Sequence, residues 1–219
     1  MAIISIFDLD RTVSRRDTFR LFLAGILMTR ASRWWQAPAL VGSAILFMLR
    51  RRDNSWLKQQ FLTRIAGGMP ADALEARGTA FAAFLRRRFI ARDALAEIAL
   101  RRSEGALLVL ATASPEVYVR PLAESLDISH VICSELEADA DGRLTGALCG
   151  GNCYGPEKLR RIDEFRMRLG ANWSDVTVYS DHHTDLPLLA QAGRGYAVNP
   201  SRAFTAQCRR RGIAVVRWH

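Results

Sequence analysis

Residues 2–12 read Ala2-Ile-Ile-Ser-Ile-Phe-Asp-Leu-Asp-Arg-Thr12. A short β-branched, apolar run ends in Asp8 and Asp10, with Thr12 two residues further on. A buried parallel strand has this look, and open α/β sheets bind their ligands at the carboxyl ends of such strands. If the strand's alternation continues through Leu9, Asp8 and Asp10 point the same way. Convergent carboxylates repel each other unless a cation or a proton intervenes, so the pair suggests a metal site. A helix cap or a turn would use the same residue types, since Asp and Thr favour both.

Three further segments share this character. Ala106-Leu-Leu-Val-Leu-Ala-Thr-Ala-Ser114 is a second buried-strand run, ending in the hydroxyls of Thr112 and Ser114, with Pro115 placed to open a helix. Gly155-Pro-Glu-Lys158 opens another helix with Lys158 in its first turn. Val176-Thr-Val-Tyr-Ser-Asp-His-His-Thr-Asp185 is a third strand, ending in Asp181 and Asp185. Strand-like runs at residues 2–7, 106–112, 130–133, 175–180, 195–198 and 213–217 alternate with helical stretches, which argues for an α/β chain with a parallel sheet covered on both faces. Ser134 to Leu148 carries Asp139-Ala-Asp-Gly142 amid alternating residues and reads as a hairpin. From about Ser14 to Ser103 only helical patterns appear.

These four motifs, in this order, resemble those of the haloacid dehalogenase superfamily of phosphohydrolases, and in particular its phosphoserine-phosphatase-like branch. The likeness spans essentially the whole chain. It implies a Rossmann-like core built from residues 1–13 and 104–219, with an all-helical cap, residues 14–103, inserted after the first strand and closing over the site. It also implies a Mg²⁺-dependent phosphomonoester hydrolase. Asp8 would be the nucleophile, forming an aspartyl-phosphate that water then hydrolyses. Asp10 would protonate the leaving oxygen and later deprotonate water. As in the family, Asp8, the Asp10 backbone carbonyl and Asp181 would hold Mg²⁺, with Asp185 at or behind that group of ligands. Thr112 or Ser114, in a segment with Ala113 between them, would bind the phosphoryl oxygens, and Lys158 would neutralise them and screen Asp8 from phosphate.

Each residue also has a plainer reading. Lys158 sits beside Arg160 and Arg161 and could be a solvated helix charge. Thr112 could cap the helix opened at Pro115, and Asp185 could be a helix N-terminal charge. His182 and His183 look like a metal pair, but adjacent strand-end residues diverge and no third ligand stands at a recognisable spacing. His182 and Arg11 occupy positions that are often small in the superfamily, which bears on substrate contact rather than on reaction type. Asp17 lies near the place where phosphoserine phosphatases contact the substrate amine. Cys133, Cys149, Cys153 and Cys208 form no CxxC pair, and reduced thiols are expected. Met1 leads straight into the first strand, so no cleavable signal is expected.

The helical insertion is unusual. Phe19, Phe22, Leu23, Ile26 and Leu27 define one apolar helix face. Trp34 to Leu49 is apolar nearly all round and is bracketed by Arg33 and Arg50-Arg-Arg52. Sixteen helical residues reach about 24 Å, short of a roughly 30 Å hydrocarbon core. The segment should therefore pack as cap core, or else lie as an interfacial helix or a helical hairpin dipping into one leaflet of an anionic membrane surface through residues 34–52. The net charge of +9 suits anionic substrates or lipid, while no nucleic-acid signature accompanies it, so no specific nucleic acid is expected. The expected substrate is a small soluble phosphomonoester. The alternative is a lipid phosphate, because Cys153-Tyr-Gly-Pro-Glu-Lys158 is similar to motif three of bacterial phosphatidylglycerophosphate phosphatases. A non-catalytic regulatory module would require a damaged motif. The expected location is cytoplasmic, with a peripheral position on the inner membrane as the alternative.

Overall fold

The computed structural model describes residues 2–219, with the backbone alone for residues 31–33. Met1 and the Arg33 side chain, both invoked above, lie outside what is described. Seven strands form one sheet: β1 (Ile4–Phe7), β2 (Leu107–Pro115), β3 (His130–Ala138), β4 (Leu144–Cys149), β5 (Val176–Ser180), β6 (Arg194–Val198) and β7 (Ala214–Val216). Their spatial order is β4-β3-β2-β1-β5-β6-β7, and every pairing is parallel except β3 with β4. The antiparallel exception is the expected hairpin. All four residues of β1 are buried, which is why they are continuously apolar or small.

The chain leaves β1 on one side toward β2 and reaches β5 on the other, so the carboxyl end of β1 is the switch point of the sheet. Phe7 is in register with Leu110 and with Tyr179, which places the ends of β1, β2 and β5 side by side. Ligand-binding residues are expected at such a point.

The helices are α1 (Thr18–Thr29), α2 (Ala37–Met48), α3 (Asn54–Ile65), α4 (Ala71–Arg88), α5 (Arg92–Ser103), α6 (Glu116–Ser125), α7 (Pro156–Arg168), α8 (Leu186–Gln191) and α9 (Arg202–Arg210). Between β1 and β2, residues 14–103 hold α1 to α5 and no strand among the described residues. The expected apolar face of α1 buries Phe22, Leu23 and Ile26, with Phe19 and Leu27 packed half-buried beside them. α4 lies so close to α6 that a Cβ on Gly78 would stand 2.1 Å from the Val117 carbonyl oxygen. α3 rests on the β4 hairpin, where Gly146 meets Thr63.

Three expectations need correction. Trp34 to Leu49 is not one continuous helix, because a 3-10 turn over Ala31–Gln36 precedes α2, which starts around Pro38. Nor does this segment pack as core: α2 buries only Leu40 and Ser43, because α3 covers a single narrow face of it. Thr112 does not cap the following helix either. β2 runs on to Pro115, and Pro115 is itself the N-cap of α6, without a side-chain bond.

Candidate active site

β1 ends at Phe7, yet the Asp8 amide still donates to the Tyr179 carbonyl at 2.9 Å, extending the pairing with β5 by one residue. The chain then coils tightly. Ser14 N–H donates to the Leu9 carbonyl at 2.8 Å, and Arg11 adopts φ 57°. That left-handed backbone favours glycine, which gives a physical reason for small residues at this position. Leu9 is fully buried between Asp8 and Asp10, so the alternation does continue and both carboxylates turn to the site.

Lys158 enters from the first turn of α7. Its Nζ donates to Asp8 Oδ1 and to Asp185 Oδ2, each at 2.7 Å. Burial alone would depress the ammonium, but Asp185 and Asp8 outweigh it and hold Lys158 above its ordinary value. The solvated-charge reading of Lys158 therefore fails. Ser180 at the end of β5 also donates to Asp185 Oδ2, at 2.7 Å. Asp185 is thus engaged by Lys158 and Ser180 and stands behind Asp8 rather than as a free ligand of its own. The 3-10 turn His183–Asp185 precedes α8 and sets this position.

Asp10 is held differently. Its Oδ1 accepts from the Thr18 amide at 2.5 Å and from the Thr18 hydroxyl at 2.6 Å, and its Oδ2 accepts from Ser114 Oγ at 2.9 Å. Tyr118 OH lies 3.1 Å from Thr18 Oγ1 and can donate to it, completing a chain toward the carboxylate. Burial pushes the Asp10 pKa up, partly opposed by the bonds from Thr18 and Ser114. A carboxyl raised by burial yet fixed in place suits an acid that must also act as a base. Because Thr18 opens α1, Asp10 also ties down the start of that helix, so the capping and catalytic readings coexist.

Ser114 commits its hydroxyl proton to Asp10. Thr112, in contrast, accepts at Oγ1 from the Ser114 amide at 3.1 Å, which leaves its own proton for an incoming oxygen. Thr12 donates to the second oxygen of Asp8 at 3.3 Å. Asp17, weighed above as a substrate contact, instead caps α1 by accepting from the Arg20 amide at 3.1 Å.

Burial pushes Asp8 up to about 7, with Lys158 opposing and Asp185 and Asp10 adding. Burial likewise pushes Asp181 up to about 8, reinforced by Asp8 and Asp10. Lys158 opposes both rises but is shared between Asp8 and Asp185, so one ammonium serves several carboxylates. Among the described residues no three His, Cys, Asp or Glu side chains converge as a metal cage. An ion here would rest on Asp8, Asp181 and the Asp10 carbonyl, a sparse hard-oxygen set that suits Mg²⁺ with its retained waters. The residues present fit that ion.

His182 and His183 do not diverge as expected: their rings lie 4.3 Å apart, because the chain turns immediately after Asp181. His182 is held by the Thr184 hydroxyl at 2.8 Å. All four cysteines are free, and only Cys149 is exposed.

One charged residue escaped the sequence reading. Lys58 of α3 is buried, and its Nζ donates to the Ala113 carbonyl, to Asn152 Oδ1 at 3.0 Å and to Ser134 Oγ at 3.4 Å. Burial lowers it to about 8, with Asp10 opposing. An ammonium fits three converging acceptors where a planar guanidinium would not. The available signal was compositional: Lys58 and Lys158 are the only lysines in a chain holding 31 Lys plus Arg, and both are buried.

The sequence profile of haloacid dehalogenase-like hydrolases matches residues 6–190, and the chain belongs to that family. Protein CicA of Caulobacter vibrioides is 30% identical over 193 residues, covering 88% of this chain and 84% of that protein. A probable phosphatase of Mycobacterium tuberculosis is 26% identical over 220 residues, covering 96% and 73%. A phosphoserine phosphatase structure, described as a phospho-aspartyl intermediate analogue, superposes with a TM-score of 0.68 at 14% identity over 98% and 92% of the two chains. Fold, family and site together define a phosphatase. Among the described residues no helix is long and apolar enough to cross a membrane.

Proposed function

We propose that this phosphatase hydrolyses phosphomonoesters through a phosphoryl group carried on Asp8, with Mg²⁺ as cofactor and a small soluble phosphorylated metabolite as substrate. The observation that carries this reading is the Lys158 ammonium, buried and 2.7 Å from both Asp8 and Asp185. It opposes the rise that burial imposes on Asp8 and aims its carboxylate, and it stands where phosphoryl charge arrives.

A carboxylate oxygen of Asp8 attacks phosphorus, and the bond to the alcohol oxygen breaks. The departing oxygen takes its electron pair and a proton from Asp10. Asp10, now ionised, takes a proton from water as water attacks the same phosphorus, and the bond to Asp8 breaks to release inorganic phosphate. Thr112 donates its free hydroxyl proton to a phosphoryl oxygen. Asp8, Asp181 and the Asp10 carbonyl would hold Mg²⁺, which would supply charge neutralisation to the phosphoryl oxygens. Residues 14–103 form the cap on the core of residues 1–13 and 104–219, and Lys58 links cap helix α3 to the Ala113 carbonyl.

One observation favours a second substrate reading. α2 presents an exposed apolar face, which suits a lipid phosphate at a membrane surface. The test is phosphate release from a panel of soluble and lipid phosphomonoesters, with Mg²⁺ or EDTA and with Asp8→Asn as the blank. Mg²⁺-dependent release that Asp8→Asn abolishes supports the mechanism, and the preferred ester class selects the substrate. Turnover that survives Asp8→Asn overturns it.

A further inference from the structure

Between Asp17 and Asp53 the chain contains six arginines and no acidic residue. Within that stretch α2 carries its apolar side chains outward. Val41, Ile45, Met48 and Leu49 follow helical spacing and are 59%, 44%, 70% and 65% exposed. Trp34 and Trp35, on the turn just before, are exposed at 61% and 73%. Scattered single apolar residues are ordinary on a protein surface; a continuous helix face of them marks something that covers it. Among the described residues nothing does so, because α2 buries only Leu40 and Ser43.

The carboxyl end of this face is strongly basic. The Arg50 and Arg51 amides close α2 on the Phe47 and Leu46 carbonyls, at 2.9 and 3.0 Å, which fixes the three arginines directly beyond the apolar stripe. Among the described residues none of Arg50, Arg51 and Arg52 pairs with a carboxylate; Arg52 stacks over Trp56, 5.4 Å from the ring centre. A shallow cleft of about 460 Å³ lies here, lined by Phe47, Met48, Arg50, Arg51, Arg52 and Asp53. In it, apolar side chains meet arginines, as a phosphate headgroup and the root of its acyl chains require.

We propose that α2 and the turn before it form a docking face for an anionic phospholipid bilayer, on which the helix lies in the plane of the interface. The length of α2, about 18 Å, suits lying in the surface and not crossing it. The indole N–H of Trp34 already donates to the Leu27 carbonyl at 3.2 Å, so its ring enters the interface without burying an unpaired donor. Charge selects lipid over a second copy of the chain. A two-fold contact through this face would set the same cationic patch against itself, whereas a bilayer offers phosphates to the arginines and hydrocarbon to the stripe. This docking holds whichever ester is hydrolysed and does not depend on Asp8 as nucleophile.

The test is co-sedimentation of the full chain with vesicles of phosphatidylcholine containing phosphatidylserine, and with phosphatidylcholine alone. The variants are Ile45→Ser/Met48→Ser and Arg50→Ser/Arg51→Ser, all at exposed positions, with melting curves and turnover of a soluble ester confirming an intact fold. Wild type is expected on the anionic vesicles. Removing two arginines should weaken partition by roughly thirtyfold, and high salt should mimic that loss. Removing the two apolar side chains should weaken it at least about tenfold at any salt. No partition of the wild type, or partition that neither variant weakens, overturns the proposal. A dimer in light scattering that Ile45→Ser/Met48→Ser dissolves, without vesicle binding, would instead give this face to a second copy.

Discussion

Replacing Lys158 with methionine keeps an unbranched apolar stem and removes the ammonium between Asp8 and Asp185. Both lost contacts are 2.7 Å ion pairs at side chains 5–11% exposed. Breaking a buried pair by deleting one partner costs about 3–5 kcal/mol, because a charge is left without compensation. Ser180 still donates to Asp185 and Thr12 to Asp8, so the lower half of that range is expected. At about 3 °C per kcal/mol for a chain of this size, melting should fall by roughly 10 °C at neutral pH. The loss must also depend on pH. Asp8 is raised to about 7 in the folded chain, above its unfolded value of 3.8. The folded state therefore keeps a proton that the unfolded state has released, and stability declines as pH rises through that window. Without Lys158 the window extends upward. At about pH 5, Asp8 is protonated in both folded proteins and the penalty of the variant should shrink; at about pH 8 it should be complete. Urea unfolding in EDTA at both pH values measures this directly. An equal penalty at the two values, or none at either, would refute the assignment of Lys158 as the counter-charge of Asp8. Turnover by the variant should also fall by about 10²–10³, the usual cost of losing one charge-stabilising donor.

Asp10→Asn should lower kcat by about 10²–10⁴ for alkyl phosphates and much less for p-nitrophenyl phosphate, whose leaving oxygen needs no proton. Equal losses on both substrates would contradict its role as acid. Lys58 is lowered to about 8, chiefly by burial, so activity should decline above that pH as the ammonium holding the Ala113 carbonyl loses its proton. Lys58→Met should abolish this alkaline limb and lower kcat, and a limb that persists in the variant assigns it elsewhere. Arg11→Gly relieves a left-handed backbone at φ 57° and should stabilise the chain by up to about 1 kcal/mol in urea unfolding. A stability loss would show that the exposed Arg11 side chain makes contacts worth more than the strain.

Much of the core was legible because its signals are local. β1 and β5 are fully buried and so read as short runs of apolar residues broken only by small hydroxyls, and the hairpin of β3 and β4 announced itself through Asp139 and Gly142. The carboxylates at the strand ends were legible for the same reason, since a parallel sheet aligns its carboxyl ends. What stayed hidden depends on distant partners. Thr18 reaches Asp10 across a helix start, Ser180 supports Asp185 from the strand before it, and Lys58 crosses from α3 to Ala113, 55 residues away. No periodicity encodes such meetings. The exposed face of α2 misled for a related reason. An all-round apolar helix reads as buried, and the sequence does not say that, among the described residues, α3 and the turn before it leave most of it uncovered. The rings of His182 and His183 meet because the strand ends at Ser180 and the alternation that would separate them no longer applies.

The central claim is that phosphate passes through Asp8. The most direct test mixes enzyme, Mg²⁺ and a turned-over phosphomonoester, quenches in acid within the turnover time, and maps phosphorylation by mass spectrometry. The mechanism predicts one phosphoryl group on the peptide holding Asp8, released by hydroxylamine as an acyl phosphate should be, and absent from Asp8→Asn. Full turnover with no phosphoryl group trapped on Asp8, or one trapped on another residue, would contradict it.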